Sequence, residues 1–257
     1  MTHHVLRITS KAAIAIAGIN DAPVVIDGKA EGITTMSPVN PWLRKGVNHL
    51  TIFLGEKPLV EGNPAPPPVY AGISVYTAKP DSDTSDVDRM LASFEQQEEP
   101  QPALPLIRRI PFNVDDEPPC NLWKDAEEIK EISDRDKSDI LGVMDDFARR
   151  IRASDSEGCV TSLAYKIKDC ALANGQDPAS MRNVIKGQFE KFIFARDDIK
   201  VILPAEGLPQ FRPVCGGKVV WVFAGLTEPA LVVTATNAKF TFPIFVAKIG
   251  GKWTLAR

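Results

Sequence analysis

Few side chains of this sequence combine a type and a spacing that could do chemistry, and the most suggestive pair is Tyr165 and Asp169. The two are four residues apart, so a helix would place them on one face, where they could line a pocket. A carboxylate there could act as a general base if its pKa were raised and an oxyanion donor lay nearby. The neighbouring Lys166 and Lys168 favour the simpler interpretation that this face is exposed to solvent. We therefore predict no catalytic residues and keep Tyr165 and Asp169 as pocket candidates.

Other residue types that support catalysis or metal binding are scarce or wrongly spaced. The three histidines, His3, His4 and His49, lie in the first fifty residues, which excludes a His–Asp dyad in the C-terminal half. Three pairs of adjacent aspartates lack the ligand spacing of a calcium loop. The four cysteines match no zinc or redox motif and are most simply small buried hydrophobes. No phosphate-loop or dinucleotide motif occurs. We predict no cofactor and no metal site.

An acidic segment at 81–102 is the strongest candidate for a binding surface. Between 81 and 99 the sequence has seven acidic residues against Arg89, although the formal net charge of the chain is only −3. The apolar residues of the segment recur at helical spacing and allow a short helix, whereas its charge density favours a solvated loop. An acidic amphipathic turn can also serve as a docking element for a protein partner, and its charge would suit a basic partner. The candidate partner-binding residues are Asp83, Asp86, Asp88, Met90, Leu91 and Phe94.

Charge and hydropathy also exclude two classes of partner. Outside the acidic segment the chain is mildly basic, but its Lys and Arg residues are spread out and form no stripe for a nucleic-acid backbone. No run approaches the roughly 20 apolar residues that cross a bilayer. The first residues lack the basic and apolar regions of a signal peptide. We therefore expect a cytoplasmic protein that binds neither nucleic acid nor membranes.

The N-terminal half is predicted to form strands. Short runs rich in β-branched residues alternate with Gly and Pro turns, and most of the 21 prolines precede residue 120, where they would break helices. This pattern predicts an all-β sandwich over 1–115, with a proline-rich loop at 61–68. Residues 116–132 begin with acids and two prolines and are predicted to be a linker. The predicted strands are 5–8, 13–17, 24–26, 47–54, 69–77 and 108–114.

From residue 133 the hydrophobic period becomes helical. Ser133 and Asp136 have the spacing of a capping box, which predicts a helix start. Asn174-Gly175 predicts a helix end with a left-handed cap, and Asp177-Pro178 predicts the start of the next helix. Three amphipathic helices are therefore expected between 133 and 194.

After residue 195 the sequence returns to strands. Short connections between them predict that consecutive strands pair antiparallel as a β-meander. Pro243 is expected at a bulge or a sheet edge, because it cannot donate a hydrogen bond to a neighbouring strand. The predicted strands are 199–203, 211–214, 218–224, 230–236, 240–249 and 253–255.

The end of this meander carries a family resemblance. Its residues are Phe245, Val246, Lys248, Gly250, Gly251, Lys252, Trp253 and Leu255. With the helical pattern at 134–151 before them, they resemble the NTF2-like (cystatin-like α+β) superfamily over 133–257. The resemblance implies an α+β domain in which a curved antiparallel sheet wraps the first helix as a cone. Enzymes of this superfamily act through Asp, Tyr or His inside the cone, so Asp169 would be the candidate carboxylate.

A second resemblance lies in the N-terminal half. Residues 41–50, Pro-Trp-Leu-Arg-Lys-Gly-Val-Asn-His-Leu, are similar to a strand entry of galactose-binding-like β-sandwich domains that accompany glycoside hydrolases. It implies that Gly46 and Asn48 shape the turn into a strand, which is a packing role. Trp42 is expected in the core or at its rim. A carbohydrate site would need Trp42, Tyr70 or Tyr76 exposed on a concave face.

With candidate surfaces but no catalytic constellation, the sequence favours a non-catalytic protein-binding module. A concrete form is a cytoplasmic immunity or accessory protein that occludes a partner, because an acidic segment suits the masking of a basic active site. Two alternatives stay open. One is a small-molecule-binding or isomerase/dehydratase-like cone protein, and the other is a carbohydrate-associated β-sandwich module.

Overall fold

The computed structural model describes residues 1–28, 32–56, 68–78, 87–97, 99–204 and 209–257. They form two compact units, Met1–Pro118 and Pro119–Arg257. The described residues contain sixteen strands in four antiparallel sheets and five α-helices, all five in the second unit. The described chain is therefore rich in antiparallel sheet, with its α-helices in the second unit and a short 3-10 helix at Asn40–Trp42 in the first. None of the helices in these ranges has the length and apolar character needed to cross a membrane.

The first unit, called the all-strand unit below, consists of two four-stranded sheets. Its strands are β1 (His3–Lys11), β2 (Ala13–Ile19), β3 (Ala22–Asp27), β4 (Ile33–Pro38), β5 (Gly46–Glu56), β6 (Tyr70–Ala78), β7 (Val87–Gln96) and β8 (Leu106–Val114). The strand orders are β4-β1-β6-β7 and β3-β2-β5-β8. Buried side chains alternate along β5 at Leu50, Ile52 and Leu54, as a strand with one face on a core requires. The six predicted strands of this half are present, and the sequence patterns missed β4 and β7.

The turn into β5 is built by Gly46 and Asn48. Gly46 has φ 87°, a left-handed conformation that glycine adopts without steric cost. The fully buried Asn48 amide donates to the carbonyls of Arg44 and Gly46 at 2.7 and 3.0 Å. Its Oδ1 accepts from the Arg44 backbone N–H and from Asn20 Nδ2. This part of the 41–50 motif therefore has a packing role.

The acidic segment forms a strand over its described central part, so the prediction of a loop or short helix there was wrong. β7 pairs with β6 and lies at the edge of its sheet. Two register shifts leave Asp88 and Leu91 as extra residues in the ladder. Each extra residue interrupts the alternation of period two, so the apolar residues at 87, 90, 91 and 94 acquire a spacing that imitates a helix. Asp83, Asp86 and residues 61–67 of the proline-rich loop lie outside the described residues.

The second unit, called the helix-and-sheet unit below, begins with its helices. They are α1 (Leu122–Asp125), α2 (Asp134–Arg152), α3 (Ser156–Ser162), α4 (Ala164–Ala173) and α5 (Pro178–Gln188), followed by a π-helical segment at Phe189–Phe194. The strands are β9 (Lys200–Ile202), β10 (Gln210–Val214), β11 (Val219–Gly225), β12 (Glu228–Pro229), β13 (Leu231–Ala235), β14 (Ala238–Phe242), β15 (Ile244–Ile249) and β16 (Lys252–Leu255). This order of helices and then strands is the predicted one.

The segment predicted as a linker at 116–132 belongs mostly to the helix-and-sheet unit. Leu122 of α1 is fully buried, and Ala126 forms a β-bridge with Ile249. The Ile129 N–H donates to the Gly217 carbonyl at 2.8 Å. The acids and prolines at 115–119 suggested a linker, but the backbone after them adds hydrogen bonds to the sheet of this unit.

The predicted helix boundaries are confirmed where a cap marks them. Ser133 and Asp136 form the capping box of α2. α5 begins after the Asp177 cap with Pro178 in its first turn. α4 ends in a Schellman motif: Gly175 has φ 66°, and the Gln176 N–H donates to the Ala171 carbonyl. The predicted single helix through 160–171 is instead divided at Leu163 into α3 and α4.

The strands of this unit form two sheets and not one simple meander. The orders are β10-β11-β15-β16 and β14-β13-β9. Pro243 separates β14 from β15, so the predicted strand over 240–249 is two strands that belong to different sheets. The expected pairing of consecutive strands therefore fails here, because Pro243 interrupts the ladder and the chain changes sheet at that point.

The core of the helix-and-sheet unit lies between α2 and the first of these sheets. One buried stripe of α2 consists of Ile140, Met144, Phe147 and Ile151. It shares a buried cluster with Val220 of β11 and with residues of β15 and β16. The stripe has the spacing of one helical face, as the sequence predicted.

Candidate functional site

A cavity of about 550 Å³ opens to solvent in the helix-and-sheet unit. Its volume falls within the range of small-molecule sites in proteins. The apolar residues of its helical wall are Phe147, Leu163, Ile185, Phe189, Phe192 and Ile193. Those of its strand wall are Phe240, Phe242, Pro243, Ile244 and Leu255. The cavity therefore lies where the chain passes from β14 to β15 and between the two sheets.

Aromatic side chains that pack against one another form part of the cavity wall. Phe147 meets Phe189 and Phe242 edge to face, at ring-centroid distances of 6.2 and 5.9 Å. Phe189 stacks on Phe242 at 6.0 Å. Phe189 belongs to the π-helical segment, whose wider turn brings Phe189, Phe192 and Ile193 to the same wall. These rings line the cavity and leave it open.

The charged residues that line the cavity are all cationic. They are Lys166 of α4, Lys239 of β14 and Arg257, and Gln188 and Thr241 are its other polar residues. Lys239 is exposed, whereas Arg257 is 4 % exposed. No Asp, Glu or His is among the described residues that line the cavity. The lining therefore combines an apolar wall with three cationic side chains.

Lys166 is half-buried against the cavity. Among the described side chains no carboxylate forms a salt bridge with its ammonium. Burial lowers the pKa of Lys166, and the nearby Arg257 lowers it further.

Arg257, by contrast, has its carboxylate partner. Its Nη1 lies 2.7 Å from Asp169 Oδ2, and the two side chains are 1 % and 2 % exposed. Asp169 Oδ1 accepts a hydrogen bond from the backbone N–H of Asn121, just before α1. The backbone N–H of Ala256 donates to the Phe245 carbonyl and so extends the β15–β16 ladder toward Arg257. Arg257 and Asp169 therefore form a buried ion pair.

The structure does not bring Tyr165 and Asp169 together as a catalytic pair on the cavity. Neither residue lines it. The Tyr165 hydroxyl donates to Asp125 at 3.2 Å, and burial raises its pKa. Asp169 lies one layer behind the wall, bound to Arg257, so the interpretation of this face as solvent-exposed was wrong for Asp169. Its burial is explained by the arginine, since a carboxylate is costly to bury without a cation.

Comparisons with protein-family models, curated proteins and solved structures found no match to this chain. The site must therefore be interpreted from its own chemistry. Across the described ranges no group of three or more His, Cys, Asp or Glu side chains is placed to hold a metal ion. None of the four cysteines, all of which lie in the described ranges, forms a disulfide, and burial raises the pKa of Cys159 to about 12, which leaves it a thiol.

Sequence reasoning did not single out the two inner cations of the cavity. Lys166 follows Leu163 by three residues, so a helix would place it beside the apolar stripe. This position beside the stripe was the signal from which the place of Lys166 on the cavity could have been predicted. Arg257 gave no local signal, because its role depends on Asp169, which is 88 positions away in sequence.

The described partner-binding candidates all lie on β7. Asp88 and Met90 are exposed, Met90 at 55 %, and Leu91 and Phe94 are half-buried. Phe94 is paired with Ile73 of β6 and Met90 with Tyr76. These residues therefore follow an edge strand, and two of the four present themselves to solvent.

The aromatic residues considered for sugar stacking are less available. Trp42 is 9 % exposed and counts among the buried residues of the all-strand unit, as expected for a packing role. Tyr70 and Tyr76 are half-buried, and the Tyr76 hydroxyl accepts a hydrogen bond from Ser74 Oγ at 3.0 Å. Trp42 thus offers no open ring face for a sugar.

Proposed function

We propose that the helix-and-sheet unit is a small-molecule-binding domain with an NTF2-like arrangement and that its ligand occupies the cavity. The observation that carries the proposal is the cavity of about 550 Å³. The phenylalanine rings of its wall pack against one another and do not fill it. The arrangement is supported by the helices that precede the sheets, and by the shared burial of α2 with β11, β15 and β16. At Pro243 the chain passes from the sheet of β14 to the sheet of β15.

Binding without turnover fits the cavity better than isomerase or dehydratase chemistry. Proton transfer of that kind uses a positioned His, Asp, Glu or Tyr, or a Lys whose pKa is lowered. Lys166 is of this last kind, but no carboxylate or imidazole side chain of the described lining accompanies it as a second proton-transfer group. The titratable residues of the wall are Lys166, Lys239 and Arg257, and Asp169 is held by Arg257 behind it. We therefore assign the cavity to recognition of a ligand.

A cavity-filling substitution tests this proposal. Ile185 lines the cavity from α5, whereas its neighbour Val184 is 59 % exposed. Ile185→Trp should fill the space and abolish binding of small aliphatic and aromatic fragments in ligand-observed NMR. Val184→Trp should leave that binding intact. Failure of the wild-type protein to bind any apolar fragment, or equal binding by Ile185→Trp, would reject the proposal.

A second candidate function is protein binding through β7, which keeps the immunity or accessory role. It is favoured by the exposed Asp88 and Met90 on an edge strand, since an edge presents unpaired backbone groups and side chains to a partner. The two bulges of β7 oppose simple strand addition, so the contact would rest on side chains. Calorimetry with the product of the adjacent gene, using wild type and Met90→Asp, tests it. Absence of heat with the wild-type protein counts against it.

A further inference from the structure

We propose that the ligand of the cavity contains an aromatic ring system, which packs against phenylalanines of both walls. The proposal rests on the small-molecule-binding function above and names the class of ligand. It follows from the positions of the phenylalanines, from the contacts that their rings already make, and from the cations that lie over ring faces in this unit.

Phenylalanine is concentrated at the cavity. The chain has 12 phenylalanines, and five of them are among the described residues that line it. They belong to both walls: Phe147, Phe189 and Phe192 are on the helical wall, and Phe240 and Phe242 are on the strand wall. A ligand ring in the cavity can therefore contact phenylalanine from helices and strands at once.

The rings of the wall show the packing that a further ring would continue. Phe147, Phe189 and Phe242 contact one another at centroid distances of 6.2, 5.9 and 6.0 Å. Aromatic pairs are favourable at about 4.5–7 Å, and they add stability beyond that of the apolar area they bury. A ligand ring gains this added contribution, whereas a saturated ring or chain of equal size gains only from the burial of its area.

Phe192 is the most exposed of the five lining phenylalanines. It is 47 % exposed, whereas Phe147 and Phe189 are buried. A ligand ring that packs on Phe192 would remove this apolar surface from water and add an aromatic contact. Phe192 is therefore the ring whose removal should change the ligand preference at the least cost to folding.

Cations already lie over two of the lining rings. The Lys191 ammonium is 5.4 Å from the ring centroid of Phe192, and the Arg196 guanidinium is 5.7 Å from that of Phe240. A cation over the face of a ring is attracted by the electron density of that face. A ligand ring would offer the same kind of face to the cationic side chains of the lining, which a saturated hydrocarbon does not.

An ion pair does not prevent such a contact. Lys248 forms a salt bridge with Asp136 at 3.2 Å, and its ammonium also lies over the Trp253 ring at 5.7 Å from the centroid. The cationic side chains that line the cavity, Lys166 among them, can therefore contact a ligand ring whatever anions accompany them. This contribution requires no net charge at the cavity.

Two matched pairs of neutral alcohols test the proposal on the whole chain by ligand-observed NMR titration. They are 2-phenylethanol with 2-cyclohexylethanol, and 2-naphthylmethanol with decahydro-2-naphthylmethanol. The members of a pair have similar size, and the saturated member is the more hydrophobic, so hydrophobicity alone would favour the saturated member. The wild type should instead bind the aromatic member about three- to tenfold more tightly, which is the range for an aromatic contact.

Phe192→Leu keeps an apolar side chain but removes the ring, so it should reduce the ratio of the two affinities about twofold. The double variant Phe192→Leu with Phe240→Leu should bring the two affinities to within about twofold of each other. Phe211→Leu is the matched control, since Phe211 is half-buried in the same unit and lies outside the cavity lining. It should keep the wild-type ratio. Circular dichroism establishes that each variant is folded, and Phe192→Leu alone decides if the double variant is not.

The outcomes separate the two proposals. Equal binding within each pair by the wild type, or tighter binding of the saturated members, overturns the aromatic ligand and leaves the small-molecule function standing. A preference that persists unchanged in the phenylalanine variants, or disappears in Phe211→Leu, overturns the assignment to the phenylalanine wall. Absence of binding by all four alcohols also overturns the aromatic ligand, and together with the absence of fragment binding it rejects the small-molecule function itself.

Discussion

The pair of Asp169 and Arg257 offers the sharpest test of the structure, through Asp169→Asn. The substitution keeps the size of the side chain but removes the charge that faces Arg257 Nη1 at 2.7 Å. Both side chains are at most 2 % exposed, so water cannot replace the lost partner. Breaking a buried pair by removing one member costs about 3–5 kcal/mol, because the other charge stays buried. We expect this loss in the free energy of unfolding.

A double-mutant cycle separates the interaction free energy of Asp169 and Arg257 from the cost of each single substitution. Arg257→Met alone leaves Asp169 buried without its cation and should cost a similar amount. The double variant Asp169→Leu with Arg257→Met replaces the pair by apolar groups, which is often close to neutral. The coupling free energy between the two positions should therefore exceed about 2 kcal/mol.

Urea unfolding followed by tryptophan fluorescence is the appropriate assay, because Trp123, Trp221 and Trp253 report on the helix-and-sheet unit. Asp145→Asn is the control, since Asp145 is exposed on α2, and it should change stability by at most about 0.5 kcal/mol. A cost below about 1 kcal/mol for Asp169→Asn would refute the reasoning. It would mean that water reaches the pair.

Four further substitutions follow from local geometry. Asp136 accepts hydrogen bonds from Ser133, Lys248 and Trp253, and these bonds lower its pKa from 3.8 to about 2. Asp136→Asn should therefore lower the free energy of unfolding by about 1–2 kcal/mol at pH 7, a value reduced for screening by solvent. Because the folded pKa is depressed, this contribution is complete above pH ~4 and disappears as the pH falls toward 2; pH-dependent urea titrations measure it. Gly175→Ala should destabilise the protein by about 1–2 kcal/mol, because Gly175 has a φ of 66°, which is costly for alanine. Gly142→Ala in α2 should instead stabilise it by about 0.5–1 kcal/mol, since the added methyl meets no neighbour within 4 Å and alanine favours the helix. Thermal melts measure both changes. Asn48→Ala should cost about 2–4 kcal/mol of the all-strand unit's stability in calorimetry, since it removes the four hydrogen bonds that the fully buried Asn48 side chain makes to Asn20, Arg44 and Gly46.

Helix ends could be predicted from the sequence because their determinants are local. The capping box of Ser133 and Asp136 lies within four residues, and so does the left-handed cap at Gly175. Most strand positions could also be predicted, since β-branched runs between turns need no knowledge of a partner. β7 could not, because a bulge at Asp88 or Leu91 is defined by the register against β6, which the sequence of β7 does not contain.

For a related reason, local sequence patterns could not predict the sheet to which each strand belongs. The sequence predicts Pro243 at a bulge or a sheet edge within one strand over 240–249, whereas in the structure β14 ends before Pro243 and β15 begins after it. Whether the chain then continues in the same sheet depends on what packs against each side of the break. Here β14 pairs with β13, and β15 pairs with β11 and β16. The cavity at this break is therefore a product of tertiary packing.

The candidate site shows the same division between local and distant determinants. Spacing predicted that Tyr165 and Asp169 lie on one face of a helix, and both residues lie on α4. The environment of Asp169 could not be predicted from that helix, because Arg257, which is distant in the sequence, forms a buried ion pair with it. A carboxylate that the spacing offered as a base is thus the partner of an arginine, and it does not line the cavity.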